Sequence, residues 1–292
     1  MATTAEWVAG ARPRTLPAAI SPVLVGTGAA AAEGTANLAL AVLALIVALS
    51  LQVAVNYAND YSDGIRGTDQ DRVGPVRLVG QRLADPGNVK LMAFAFFGLA
   101  ALAGLALVAL SNTLPLLLLG ALAIVAAWRY TGGNKPYGYR GLGEVNVFVF
   151  FGLVATLGTA YTQAHTVTWA AVLGACAIGA LASAILVANN LRDIPGDTVA
   201  GKRTLAVRLG DRRSRSMYVA LVLIAFLLGA YSALWAPWAV LTVAALPLGI
   251  RNFQRLAGGA QGRELIPVLS ATGWLELLYA VLLSTGLALA AS

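Results

Sequence analysis

Charge is scarce in this chain. Asp, Glu, Lys and Arg make up 11% of its 292 residues, against roughly 25% in a soluble domain. So few charges cannot cover a water-facing surface of this size, which excludes an ordinary soluble protein. Cysteine occurs once, at Cys176 inside an apolar stretch. An internal disulfide is excluded, and the residue reads as a small packing side chain. Histidine also occurs once, at His165, in an expected turn far from the polar clusters, where it reads as a solvated loop residue rather than a base.

What replaces charge is apolar length. Hydrophobic residues account for 59% of the chain, and runs long enough to cross a bilayer recur along all of it. Nine are expected, at 15–32, 38–58, 91–111, 113–130, 144–163, 167–190, 216–234, 237–252 and 266–290. Pro237 and Pro247 interrupt the eighth. The expected fold is an all-α membrane protein, about nine helices around a central cavity, in one integral membrane domain spanning residues 1–292. No cleavable signal peptide is expected, because the first apolar run is long and lacks a clear cleavage site.

With nine spans, the amino terminus and the even-numbered connections share one side of the membrane, and that side holds all 20 Lys and Arg residues. The positive-inside rule makes it cytoplasmic and puts the carboxy terminus outside. The net charge of +7 is then a topology signal, and no nucleic-acid partner is expected.

Against this background two polar clusters stand out, each where an apolar run ends. The first is Asn56-Tyr57-Ala58-Asn59-Asp60-Tyr61-Ser62-Asp63, and the second runs from Asn189-Asn190-Leu191-Arg192-Asp193 to Asp197. On continuing helices, Asn56, Asn59, Asp60 and Asp63 share one face, and so do Asn189, Asp193 and Asp197. Carboxylates beside a bilayer need a partner, and oxygen ligands of this kind suit Mg²⁺, a cation commonly shared with phosphate. The simpler alternative is a pair of ordinary polar helix ends facing water. The loops that follow carry cations: Arg72 after the first cluster and Lys202 five residues past Asp197. Carboxylates, a divalent cation and basic residues together are what a diphosphate requires. Arg212, Arg213 and Arg215 read instead as topological charge. A loose internal echo pairs the two halves, through Val76-Arg77-Leu78-Val79-Gly80 and Val207-Arg208-Leu209-Gly210.

These motifs resemble those of the intramembrane aromatic prenyltransferases of ubiquinone and menaquinone biosynthesis. The resemblance is narrower toward the branch that prenylates 1,4-dihydroxy-2-naphthoate. It rests on Ala11-Arg12-Pro13-Arg14-Thr15-Leu16-Pro17, Asn59 to Asp63, Asp71-Arg72-Val73-Gly74-Pro75, Pro136 to Glu144, Asn189 to Asp193, and Gly201-Lys202-Arg203-Thr204-Leu205. It implies that Asp60, Asp63, Asp193 and Asp197 hold Mg²⁺ against a polyprenyl diphosphate, aided by Asn56, Asn59 and Asn189. Asp69 or Asp71 would assist them. Lys202, Arg72, Lys135, Arg140 and Arg192 would meet the substrates' negative charge. Tyr139 and Tyr137, with Glu144 and Asn146, are candidates for contact with the aromatic acceptor.

The implied setting is the lipid bilayer of a bacterial plasma membrane, with the site at its cytoplasmic side. Two alternatives stay open. One is a sister enzyme using hydroxybenzoate, haem or a phosphoribosyl acceptor. The other is an ion-coupled transporter that uses the acidic pairs as its ion site. Separately, Glu276, inside the last apolar run, is either functional or a protonated acid packed beside Trp274 and Tyr279.

Overall fold

The computed structural model describes residues 2–67, 76–133 and 136–290. Among the described residues the fold is all helical. In chain order the helices are α1 (Thr4–Gly10), α2 (Pro17–Ala32), α3 (Leu38–Ile65), α4 (Pro86–Ser111), α5 (Leu116–Arg129), α6 (Gly143–Ala164), α7 (Trp169–Val199), α8 (Leu205–Ser232), α9 (Leu246–Ala257) and α10 (Ile266–Leu289). A 3₁₀ segment, Pro237–Ala245, leads into α9, and a second one, Gly262–Leu265, into α10.

Each expected apolar run is represented by helical structure, but the count of nine crossings is not established. Six helices are long and apolar enough to cross a membrane: α3, α4, α6, α7, α8, and α10 with its 3₁₀ lead-in. A seventh appears if Thr4–Thr15 and Pro17–Ala32, bent by 47°, form one span. Two segments fall short for visible reasons. Helix α5 begins only after Pro115 and has 14 residues, about 21 Å at 1.5 Å per residue, against a hydrocarbon core of roughly 30 Å. The Pro237–Ala257 stretch is divided between 3₁₀ and α geometry, with Pro237 and Pro247 each opening its own part.

The outer faces are apolar. Leu91, Leu102, Leu118 and Leu227 are each exposed by about two thirds, which in water would be an aggregation surface and in lipid is an ordinary one. Inside, small residues bring helices close. A Cβ on Gly152 would lie 2.4 Å from the Gly179 Cα, so α6 and α7 cross almost backbone to backbone. Phe148–Val154, which includes this crossing, is a π-helical stretch within α6. Such stretches shift the register of the side chains on either side. The helices that carry the two Asn/Asp clusters, α3 and α7, each pack on the helix that follows, α4 and α8.

Candidate active site

One stripe of α3 shows how the sequence builds the site. Ala44, Val47, Ala48, Leu51, Val55, Asn56, Asn59 and Asp63 all line a single cavity of about 720 Å³. Their spacing keeps to three- and four-residue steps, so one helix face passes from apolar to acidic along its length. Ala182, Ile185, Leu186, Asn189, Asn190 and Asp197 do the same on α7. Phe150, Phe151 and Val154 of α6 and Leu116, Leu117 and Gly120 of α5 add to the apolar part, together with residues of α2 and α4 such as Val23 and Leu105. No residue of α5 is buried, so this helix is a thin wall.

At the polar end Asp63 is the meeting point. Lys202 Nζ lies 3.1 Å from Asp63 Oδ1, and Arg77 sits 3.7 Å from Oδ2. The Tyr139 hydroxyl also donates to Asp63 Oδ1. Asp63, Arg77 and Lys202 are all about 95% or more buried, so these charges act on one another with little screening. Lys202 also stands 4.6 Å above the Tyr139 ring, within cation–π range. Burial, helped by the Asp63 carboxylate, pushes the Tyr139 phenol well above its ordinary range. It therefore stays a protonated donor through neutral pH.

The loops are fastened by their backbones. Arg203 N–H donates to the Tyr139 carbonyl at 2.9 Å and Lys202 N–H to the Asp197 carbonyl at 2.8 Å, while the Arg66 guanidinium donates to the Thr131 carbonyl at 2.6 Å. The Thr131 hydroxyl donates to Asn59 Oδ1 at 2.6 Å.

The expected site residues are distributed unevenly over this arrangement. Asn56, Asn59, Asp63, Tyr139, Asn189, Asp197 and Lys202 line the cavity. Asp60 is buried but is not among the lining residues. Its Oδ2 accepts from Leu78 N–H at 2.7 Å and its Oδ1 from Val79 N–H at 3.1 Å, which fixes the loop that delivers Arg77. Asp193 also lies off the cavity lining. Arg192 grips it with Nε at 2.7 Å and a second nitrogen at 2.8 Å, and reaches Asn189 Oδ1 at 2.9 Å. Arg140 is exposed and outside the lining. Arg72, Lys135, Asp69 and Asp71 lie outside the described residues.

Two cations at the mouth were not expected as site residues: Arg12 and Arg77. Arg12 adopts a left-handed backbone, φ 54°, a conformation costing roughly 1 kcal/mol or more for a non-glycine residue. Side chains of α3 hold it there. Asn56 Nδ2 donates to the Ala11 carbonyl at 2.8 Å and to Thr15 Oγ at 3.0 Å, Gln52 donates to Thr15 Oγ at 2.8 Å, and the Tyr57 hydroxyl donates to the Trp7 carbonyl at 2.8 Å. The motif Ala11 to Pro17 carried the signal, but its arginines are indistinguishable from topological charge in the sequence.

Among the described residues no three His, Cys, Asp or Glu side chains converge into a preformed metal cluster. The donors nevertheless suit a hard cation. Asp63 and Asp197 face the same cavity from α3 and α7, with Asn59 and Asn189 beside them. Among the described residues, three cations (Arg12, Arg77 and Lys202) line the cavity against these two carboxylates, too few to balance an added diphosphate. A divalent cation shared with that diphosphate fits the deficit.

Residues 19–264 match the model of the UbiA prenyltransferase family. A 1,4-dihydroxy-2-naphthoate octaprenyltransferase of Mycobacterium tuberculosis is 56% identical, covering 99% of this chain and 98% of that one. The Escherichia coli protein of the same description is 40% identical, over 91% and 87%. In three dimensions the chain is similar to a UbiA homolog from Archaeoglobus fulgidus bound to GPP and Mg²⁺. The TM-score is 0.68 at 18% identity, covering 96% of this chain and 99% of that one.

Proposed function

The chain belongs to the UbiA prenyltransferase family, and from that premise we propose that it transfers a polyprenyl chain from its diphosphate to 1,4-dihydroxy-2-naphthoate. The observation that carries this reading is the single cavity, acidic and basic at one end and apolar at the other. A substrate with a charged head and a long hydrocarbon tail fits such a gradient end to end.

The reaction breaks the allylic C–O bond, and its electron pair leaves with the diphosphate. The ring carbon bearing the carboxylate attacks the allylic carbon. CO₂ then departs and returns its C–C pair to the ring, leaving the quinol form of demethylmenaquinone. A bound Mg²⁺, held by Asp63 and Asp197 with Asp60 and Asp193 behind them, would neutralise diphosphate charge. Lys202, Arg77 and Arg12 receive the negative charge that grows on the leaving group, and the arginines offer planar paired donors to phosphate oxygens. Lys202 must release Asp63 to do so, and its ring contact with Tyr139 keeps it at the mouth meanwhile. The walls formed by Phe150, Phe151 and Val154 keep water from the allylic cation.

The test is product identity. Membranes containing the protein, given a prenyl diphosphate and a panel of aromatic acceptors, are expected to yield prenylated naphthoquinol by mass spectrometry. Prenylation of hydroxybenzoate with its carboxyl retained, and none of the naphthoate, would assign the chain to a sister activity.

The setting we propose is a bacterial plasma membrane with the polar mouth on the cytoplasmic side. The concentration of all 20 Lys and Arg residues on one set of connections supports this orientation. In a Cys176→Ala background, a cysteine placed at Arg213 is expected to react with impermeant reagent only from the cytoplasm. One placed at His165 is expected to react only from outside. Exterior labelling at position 213 would break the orientation.

A further inference from the structure

The cavity is deep as well as graded, and hydrogen bonds mark its two ends. At the polar end Tyr139 reaches Asp63 of α3, and the Tyr137 hydroxyl bonds to Asn146 Oδ1 of α6 at 2.8 Å. At the far end Gln163 of α6 ties three helices together. Its Oε1 accepts from the N–H of Asn37, the cap of α3, at 3.0 Å, and its Nε2 donates to Thr27 Oγ1 of α2 at 3.1 Å. Between these ends the lining runs from Asp63 to Ala44 on α3 and from Asn146 to Thr162 on α6. Those stretches are about 28 Å and 24 Å of helix, at 1.5 Å per residue.

Gly158 belongs to the far part of the α6 lining, about 18 Å along the helix from Asn146. Phe151, Val154, Ala155 and Thr162 line the cavity on either side of it at helical spacing, so a side chain there would enter the same space. A Cβ placed on Gly158 meets no atom within 4 Å. Gly152 in the same helix is the contrast, because a Cβ there would strike Gly179, and close helix packing requires that glycine. Gly158 meets no such packing demand, and its backbone lies in ordinary helix rather than the left-handed region. Glycine inside a helix is destabilising relative to alanine. What this one contributes is room.

An extended chain advances roughly 1.2 Å per bond, so an isoprenoid tail of two four-bond units spans about 10 Å and one of eight units about 38 Å. The shorter tail ends before Gly158, and the longer one is long enough to pass it. We propose that Gly158 is a specificity-determining residue for tail length. The open space beside it receives the distal units of a long isoprenoid chain, while the first units never reach it. The proposal rests on the prenyl diphosphate reading above and adds the residue that discriminates among tails.

The test is a competition between geranyl diphosphate and octaprenyl diphosphate on the purified protein, with 1,4-dihydroxy-2-naphthoate and Mg²⁺. Both products form in one mixture, so their ratio reports relative kcat/KM whatever fraction of the protein is folded. Gly158→Leu is expected to lower the octaprenyl-to-geranyl ratio by roughly tenfold or more, the effect of overfilling a site that the long tail must occupy. Gly158→Ala and Gly158→Val should give smaller shifts, in order of side-chain size. The control is Gly98→Leu. Gly98 is exposed on α4, lies outside the cavity lining and also has open space around its Cβ position, so its ratio should match the wild type.

An unchanged ratio in Gly158→Leu, or an equal shift in Gly98→Leu, would overturn the inference and leave the reaction intact. Should Gly158→Leu yield no folded protein, the ratio in Gly158→Val decides in the same way. A wild-type protein that forms prenylated product with neither diphosphate overturns both the inference and the reaction.

Discussion

Asp63→Asn is expected to lower kcat by about 100- to 1000-fold, the range seen when one preorganised electrostatic group is removed from a site. Asp63 is where the Lys202 ammonium, the Arg77 guanidinium and the Tyr139 hydroxyl converge. An amide there keeps the shape and loses the charge, so a cation ligand and the resting partner of Lys202 disappear together. The protein should remain folded in the membrane. The useful contrast is Asp60→Asn. Both Asp60 oxygens accept backbone N–H groups, from Leu78 and Val79, and an asparagine would turn its own NH₂ toward one of them. That substitution is expected to cost about 2 kcal/mol of stability in addition to activity. Thermal unfolding in detergent checks both costs, because Asp63→Asn also takes a carboxylate away from the buried Lys202 and Arg77 charges. Both variants should melt below the wild type and be nearly inactive. Near-wild-type turnover in Asp63→Asn would remove the carboxylate from the mechanism.

Chelation is expected to have an effect at least as large. EDTA should reduce turnover to roughly 1% or less, and added Mg²⁺ should restore it, because a metal's charge stabilisation at a leaving phosphate is worth several kcal/mol. The argument is electrostatic. The cavity presents Asp63 and Asp197 to a diphosphate, and carboxylates repel that anion unless a divalent cation lies between them. Binding of a non-hydrolysable prenyl diphosphate analogue should weaken in parallel, which places the requirement at substrate binding as well as at turnover. Undiminished turnover and binding in chelated buffer would mean that Lys202, Arg77 and Arg12 carry the diphosphate alone.

Periodicity is what made much of this site legible. Asn56, Asn59 and Asp63, and likewise Asn189 and Asp197, fall on cavity-facing stripes because helical spacing alone fixes which residues share a face. The same rule fails for Asp60 and Asp193, which belong to those stripes in the sequence. Their side chains turn to the Leu78–Val79 backbone and to Arg192, partners that local spacing does not reveal. Lys202, five residues past Asp197 in the sequence, reaches Asp63, 139 residues away, because the loop after α7 is pinned by Arg203 to the Tyr139 carbonyl.

Arg12 and Arg77 were hidden for a compositional reason. When every basic residue already satisfies the positive-inside pattern, charge alone cannot mark the few that enter the site. The helical architecture was readable from hydropathy. The crossing count was not, since proline placement at 115, 237 and 247 decides which apolar runs form helices long enough to span.

Acceptor labelled in its carboxyl carbon tests the central claim most directly. With 1,4-dihydroxy-2-naphthoate, a polyprenyl diphosphate and Mg²⁺, labelled CO₂ should appear in a one-to-one ratio with unlabelled prenylated quinol, and neither should form without the diphosphate. Prenylated product that retains the label would contradict the account, because it would put the new bond at a carbon other than the one bearing the carboxylate.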